Sequence, residues 1–315
     1  MLDPIVAAAA VGLVVSPVAG NAVLRGFEGV PERRRRAVAW LAVAGAASAT
    51  AVAVQLGSGR VAEYLFIVLL GAVPGLLAFL VTRTAIASAL VSLLPLYFGI
   101  GAMTLGRPLH APMTALDRAV PLEPAWMLVY ASMYVFAFLP LLVVRDGQLF
   151  YRAGQAYVTV LAIAYAGFIL YPTVGPKPDA VIGTGFAAWL LRLQYSIDWP
   201  YNCFPSLHVA HSFVSAFTSY RVHRGVGWSA VLWACLIGFS TLFTKQHYAV
   251  DVVGGALAAY IAYIMFLRGY SRDATEETDR RRAPRRALGF VAIWALLIAC
   301  AWVGYRITMV APMAR

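Results

Sequence analysis

His247 and Asp251 stand four residues apart, one turn of a helix, and so share a face. That spacing lets the carboxylate hold one imidazole nitrogen while the other faces a cavity. An imidazole oriented in this way can act as a base or as a nucleophile. A second histidine, His208, follows Pro205-Ser206-Leu207. Proline suits a first helical turn because it has no N–H to leave unpaired, so a helix is expected to begin there. Helix N-termini attract anions through free N–H groups and the helix dipole. Ser206, with the backbone N–H groups of Leu207 and His208, would then form a cradle for a phosphate. Lys177 and Lys245 are the only lysines in the chain, and an ammonium is a suitable point charge for phosphate oxygens. These groups suit phosphoryl transfer, where catalysis is mostly positioning and charge neutralisation.

The elements that must position them are membrane spans. Of the 315 residues, 61% are hydrophobic and 12% charged, with a mean hydropathy of +0.75. A soluble domain is about 45–50% apolar and about 25% charged, so the solvent for this chain is a bilayer. At about 20 apolar residues per span, ten candidates follow: 5–24, 37–56, 61–82, 84–105, 125–144, 153–171, 205–222, 226–243, 248–267 and 288–308. The expected fold is an all-α, polytopic transmembrane bundle. The segment 5–24 is read as a span and not a signal peptide, because arginines follow it and none precede it. Span 205–222 is polar, with His208, His211, Ser212, Ser215 and Ser219, so it should face the bundle interior or a wet cavity.

Net charge is +11, yet no basic stripe interleaved with aromatics appears, so nucleic acid is not an expected partner. The charge instead orients the spans. With loop 25–36 cytoplasmic, that side collects 17 of the 25 Lys and Arg residues, against 8 on the other. This orientation puts both termini outside. It also puts the segments around Lys177, His208 and His247 together on the non-cytoplasmic face of a cell membrane. Three cysteines without a CxxC pair argue against a disulfide framework or zinc knuckle.

Two outer loops have their own texture. Residues 106–124 hold four prolines, which forbid a continuous helix. Residues 172–204 contain an apolar segment, Phe186–Ser196, expected as a short interfacial helix beside Trp189, Tyr195 and Trp199. The charged run Arg268–Arg286 reads as a solvated cytoplasmic linker.

Pro205-Ser206-Leu207-His208, together with Ser240-Thr241 ahead of His247 and Asp251, resembles the motifs of the type 2 phosphatidic acid phosphatase superfamily. The family's second motif is Pro-Ser-Gly-His, and its third is Ser-Arg, five residues, His, three residues, Asp. Leu207 stands for the glycine, Thr241 for the arginine, and the first motif is not recognisable. These departures, with Tyr171-Pro172-Thr173-Val174-Gly175-Pro176-Lys177, look like the branch of inositol-phosphorylceramide and sphingomyelin synthases. The resemblance is sharpest over 172–255 and implies four parts: accessory spans at 1–83, a six-span core at 84–268, a linker at 269–287 and a last span at 288–315. It also implies roles. His247, oriented by Asp251, attacks phosphorus to form a phosphohistidine, and His208 protonates the leaving oxygen. Lys177, Lys245, Ser206 and Leu207 hold the oxygens, with no metal and no cofactor. The substrate is a membrane lipid phosphate or phospholipid, and the acceptor is water or an alcohol such as a polyol. The resemblance admits a phosphatidate, an isoprenoid diphosphate and a head-group donor as the lipid.

Two other readings use the same residues. His208, His211, His247 and Asp251 are a plausible zinc set. Ten spans with one polar helix also suit a transporter of a lipid or anion, although no half-chain repeat of the carrier kind is visible.

Overall fold

The computed structural model describes residues 93, 96–104, 106–198 and 200–306. The expected spans at 5–24, 37–56 and 61–82 and both chain termini lie outside these residues. Among the described residues the structure is helix and turn, with a single bridge between His110 and Thr173 as its only extended pairing. Two compact units are distinguishable, one of residues 1–107 and 161–170, the other of 108–160 and 171–315. In the first, helix α1 (Leu96–Met103) is described, and the Tyr165 hydroxyl donates to the Leu93 carbonyl at 2.7 Å. Apart from residues 161–170, everything below concerns the second.

The expected span at 125–144 is two pieces. A 3-10 turn at Pro124–Trp126 leads into Met127–Phe136 (α3), and a separate turn of helix covers Leu139–Val143 (α4). Pro140 lies in the second piece and has no N–H to continue a helical ladder. The carbonyls released at the break are satisfied by side chains: Ser215 donates to Phe136 at 2.7 Å and Tyr157 to Ala137 at 2.6 Å. This is how a broken helix is tolerated at membrane depth.

Helix α5 (Gly147–Leu170) starts six residues earlier than expected, because the Asp146 carboxylate accepts the Leu149 N–H at 2.7 Å and caps it. The expected short helix is present as α6 (Phe186–Ile197). Helices α7 (Leu207–Val222), α8 (Arg224–Phe243) and α9 (Ala249–Ala262) follow, the last continued by a π-helical turn at Tyr263–Leu267. The charged run expected as a linker is helical from Glu277 onward, forming one long helix α10 (Glu277–Tyr305) whose first turns carry the pair Arg286–Asp279 at 2.8 Å. Four helices, Gly147–Leu170, Arg224–Phe243, Ala249–Leu267 and Glu277–Tyr305, are long and apolar enough to cross a membrane. Their outward residues, among them Leu232, Leu257, Leu288 and Leu296, are apolar and exposed, as lipid-facing residues of an integral membrane protein must be.

Helix α7 lies inside the bundle. The hydroxyls of Ser212, Thr218 and Ser219 donate to the carbonyls of His208, Val214 and Ser215 four residues earlier, and all three residues are fully buried. These three hydroxyls are therefore spent on the helix's own backbone, whereas Ser215 reaches across to Phe136. Close approach then depends on glycine: a Cβ at Gly255 would lie 2.4 Å from the Ser206 carbonyl oxygen. Residue 255 must lack a side chain for α9 to reach the start of α7.

Candidate active site

Ser206 caps α7, its hydroxyl oxygen accepting the Val209 N–H at 3.4 Å. Pro205 therefore precedes the cap instead of occupying the first helical turn. The Ser206 N–H donates to the Asp251 carbonyl oxygen at 3.0 Å, which ties the start of α7 to the first turn of α9. The next amides, of Leu207 and His208, fall in the first turn, where helical N–H groups lack intrahelical partners.

His247 is presented by the turn that ends α8. The Gln246 N–H reaches the Thr241 carbonyl at 2.9 Å and the Lys245 N–H reaches Leu242 at 3.2 Å. This is a Schellman arrangement, whose left-handed position is usually glycine. Lys245 occupies it instead, at φ 52°. Its ammonium donates to the carbonyls of Asp117 at 2.9 Å and Val120 at 2.5 Å, at the end of the short helix α2 (Ala115–Ala119). The Asp117 carboxylate accepts the Ala249 N–H at 2.7 Å, the first residue of α9. One short helix thus brackets His247 from both sides. Burial alone would raise the Asp117 carboxyl, but hydrogen bonds from Thr114 and Ala249 and the Lys245 charge bring it net below its usual range. Burial lowers the Lys245 ammonium, opposed by Asp117.

The reactive groups form one hydrogen-bonded chain. His247 Nδ1 is 3.3 Å from Asp251 Oδ2, His247 Nε2 is 2.9 Å from His208 Nδ1, and His208 Nε2 is 2.8 Å from the Tyr130 hydroxyl. An ionised carboxylate only accepts, which fixes every proton in the neutral chain. His247 donates from Nδ1 to Asp251, His208 donates from Nδ1 to His247, and Tyr130 donates to His208. The lone pair on His247 Nε2, the one a nucleophile would use, therefore faces His208. Gln194 stands behind Tyr130, its amide 3.5 Å from the Tyr130 hydroxyl and 2.9 Å from that of Tyr134. Nothing in the sequence separates Tyr130 from the other aromatics of its span. Its role is visible only from the fold.

The Pro172–Pro178 segment is stitched to the same site. The Thr173 hydroxyl oxygen accepts the N–H groups of Cys203 at 3.1 Å and Phe204 at 3.0 Å, and the Gly175 N–H donates to Pro200 at 2.7 Å. Lys177 donates to the Asp198 carbonyl at 2.8 Å, lies 3.6 Å from its carboxylate, and sits over the Tyr195 ring. Burial depresses its ammonium below the ordinary lysine range, opposed by Asp198. Burial, followed by the Asp251 charge, holds the Cys203 thiol well up. Gln246 is buried, and neither atom of its amide has a hydrogen-bond partner among the described residues.

The structure brings His208, His247, Asp251, Ser206 and Leu207 together and places both lysines at the margins, each on protein carbonyls. The zinc set of His208, His211, His247 and Asp251 is not gathered. His211 packs beside Tyr157, at 5.5 Å between rings, and among the described residues the grouping of candidate ligands is Cys203, His247 and Asp251. Thr241, at the position of the missing arginine, is fully buried and donates to the Gly238 carbonyl at 2.7 Å.

A family model described as the PAP2 superfamily matches residues 104–265. A PA-phosphatase related-family protein of Dictyostelium discoideum is 25% identical over 107 residues, 30% of this chain and 19% of its own length. The undecaprenyl-diphosphatase BcrC of Bacillus subtilis is 34% identical over 65 residues, 21% of this chain and 34% of its own. The bacitracin transport permease protein BcrC of Bacillus licheniformis is 31% identical over 70 residues, 22% of this chain and 33% of its own. The chain thus spans about a third or less of the length of these relatives. No solved structure matches it significantly.

Proposed function

The chain belongs to the PAP2 superfamily, and from that premise we propose that it is an integral membrane phosphoric ester hydrolase or phosphotransferase acting on a lipid phosphate through a phosphohistidine. The observation that carries this reading is the directional chain Tyr130–His208–His247–Asp251, which leaves one imidazole lone pair poised and a donor directly opposite. A phosphoryl group enters between the two rings and displaces their 2.9 Å contact. His247 Nε2 forms a bond to phosphorus, the bond to the leaving oxygen breaks, and that oxygen takes the Nδ1 proton of His208, which enters the step as an imidazolium, having gained a proton at Nε2 with the anionic substrate, and leaves it as a neutral imidazole. Water or an alcohol then attacks phosphorus and gives its proton to His208, which frees His247. Asp251 stabilises the cationic phosphohistidine ring. Tyr130, 2.8 Å from His208 Nε2, holds the ring with Nδ1 toward the substrate and can accept the Nε2 proton while His208 is charged. The α7 amides of Leu207 and His208, with Ser206 and Lys177, supply donors for the non-bridging oxygens. Lys245 contributes positive potential nearby while holding α2.

Transfer of a head group to an alcohol is the finer reading. The buried Thr241, turned onto its own helix, supports it: the family's arginine position supplies no cation here, which is the pattern of the ceramide-type branch. A polyprenyl or phosphatidate phosphatase using water is the alternative outcome. Purified protein is to be incubated with phosphatidate, a polyprenyl diphosphate and phosphatidylinositol, each with and without diacylglycerol and inositol. Phosphate release is scored separately from new lipid, and acid-labile phosphate on protein is trapped by alkaline quench. Release or transfer together with a labelled His247 is expected. Failure of every substrate with no labelled histidine would sink the proposal. Turnover in detergent would also count against transport as the sole function.

The 17-to-8 bias of basic residues supports an active site on the non-cytoplasmic face. With the native cysteines replaced, a single cysteine at Ile182, 89% exposed, is expected to react with an impermeant thiol reagent in intact cells, and one at Glu276 is not. The opposite pattern would reverse the orientation.

A further inference from the structure

At the end of α7 remote from His208, a cavity of about 590 Å³ opens among Arg221, His223, Arg224, Ser271, Arg272 and Arg280. Four guanidiniums share it with one carboxylate, Asp273, which pairs with Arg280 at 3.0 Å and is itself highly exposed. Like charges converging on one concavity repel unless an anion joins them.

The surrounding contacts orient these groups without consuming them. Arg221 lies over the Tyr263 ring at 5.1 Å, donating to the Tyr263 hydroxyl at 2.6 Å and the Tyr270 carbonyl at 3.4 Å. Its Nε is buried with no partner among the described residues. Arg272 lies over the Tyr220 ring at 5.2 Å, which positions its guanidinium through the ring face. Arg224 makes no hydrogen bond or ion pair among the described residues. His223 caps α8, its Nδ1 accepting the Val226 N–H at 3.3 Å, so the neutral imidazole carries its proton on Nε2 as a further donor. The Ser271 oxygen accepts the Asp273 N–H at 3.3 Å and leaves its own proton to donate. The N-terminus of the 20-residue α8 adds its dipole to the same side. The inventory is almost wholly donors, with guanidinium forks that match phosphate oxygens.

Position narrows the ligand. α7 and α8 meet here at their ends, thirteen residues along α7 from His208, or about 20 Å at 1.5 Å per residue. The cavity thus lies at the ends of α7 and α8 remote from His208, beside the charged run Arg268–Arg286, where anionic head groups would be within reach.

We propose that this cavity binds a phosphate-bearing anion, separately from the catalytic centre. The phosphate belongs either to an anionic phospholipid head group of that leaflet or to free phosphate or diphosphate. The assignment stands whether or not the catalytic reading is correct.

The test uses full-length purified protein and its thermal unfolding midpoint. One arm titrates inorganic phosphate and diphosphate in detergent. The other compares nanodiscs of phosphatidylcholine with nanodiscs that also contain phosphatidylglycerol. Both are run on wild type, on R224Q/R272Q, and on R281Q/R285Q, which removes the same charge outside the cavity. Wild type and R281Q/R285Q are expected to be stabilised by one or both probes, and R224Q/R272Q to need at least roughly tenfold more probe for the same shift. Stabilisation by diphosphate in detergent assigns the free anion, and by phosphatidylglycerol alone the head group. R224Q by itself, at an exposed side chain, is expected to weaken the response several-fold, which guards against misfolding of the double variant. The proposal is overturned if wild type responds to neither probe. It is equally overturned if R224Q/R272Q responds as wild type does, since binding then belongs to the catalytic end, or if R281Q/R285Q loses as much as R224Q/R272Q.

Discussion

At one end of α7, His208 is locked between Tyr130 and His247 at 2.8 and 2.9 Å, in a chain that ends on a buried carboxylate. At the other, Arg221 opens into a cavity with three more guanidiniums and a single exposed acid. Both ends suit a phosphate, by opposite means. The first offers few charges and many fixed directions, the second many charges and loose directions. Electrostatic stabilisation of a reacting group depends on donors already aimed where charge develops, so the proposed reaction suits the first end and the proposed retention of an anion the second. A cluster of arginines is therefore no guide to the reactive centre of this fold.

The most severe way to break the comparison is His247→Ala. Turnover of the lipid substrate should fall by at least about a thousandfold, since a nucleophile and its partners act as a unit. Protein phosphorylation should vanish with it. Asp251→Asn should follow closely, because the Asn amide can present a donor to Nδ1 and reverse the tautomer of His247. Normal turnover in His247→Ala would end the assignment.

Lys177→Met comes next. A charge-assisted bond to phosphate contributes about 1.5–3 kcal/mol, so kcat/KM should drop roughly 10- to 150-fold. Because burial depresses this ammonium, its charge is lost as pH rises through a value below the ordinary 10.5 of lysine. An alkaline limb in kcat/KM is expected below that pH, and Lys177→Arg should move the limb upward. An unaltered limb in the arginine variant would remove Lys177 from the substrate's surroundings.

Tyr130→Phe keeps the ring and deletes one hydroxyl. The unpaired buried acceptor on His208 costs about 1–3 kcal/mol, and kcat should fall about 5- to 150-fold with KM nearly constant. A tyrosine that merely packs would shift the unfolding midpoint and leave kcat alone.

Lys245 separates anchoring from substrate binding. Lys245→Met should lower the midpoint by a few degrees and change kcat/KM only several-fold in the folded protein. Lys245→Gly should be milder, because glycine relieves the left-handed backbone that costs other residues about 1–2 kcal/mol. A rise in KM with an unchanged midpoint would make Lys245 a phosphate ligand after all. The smallest effect belongs to R224Q/R272Q, for which turnover in detergent within about twofold of wild type is expected. A larger loss would join the two ends that the structure keeps apart.

Much of this was legible in the chain. The His247–Asp251 pair, a helix start close to Pro205 and the short helix at Phe186–Ser196 follow from local spacing, although Pro205 precedes the Ser206 cap and does not lie in the first turn, and local rules operate over a few residues. The broken span at 124–143 was not legible, because hydropathy is indifferent to Pro140 when distant side chains can satisfy the freed carbonyls. Tyr130 and Asp117 were also hidden, since each meets its partner more than seventy residues away. Lys245 is the most instructive. Proximity in sequence to His247 argued for a substrate ligand, but its left-handed backbone turns the ammonium toward α2.

That tether gives the assembly of the protein an order. Asp117 accepts the Ala249 N–H on its carboxylate and the Lys245 ammonium on its carbonyl oxygen, bonds that close loops of 132 and 128 residues. Closing loops of that length is entropically costly and comes late in folding. As the chain is synthesised and its spans enter the membrane, α2 must wait outside the bundle until α8 and α9 have arrived. His247 gains its bracket only then. A nascent chain halted before residue 245 would carry His208 without its neighbour, so chemical competence is acquired in one late event and not built up span by span.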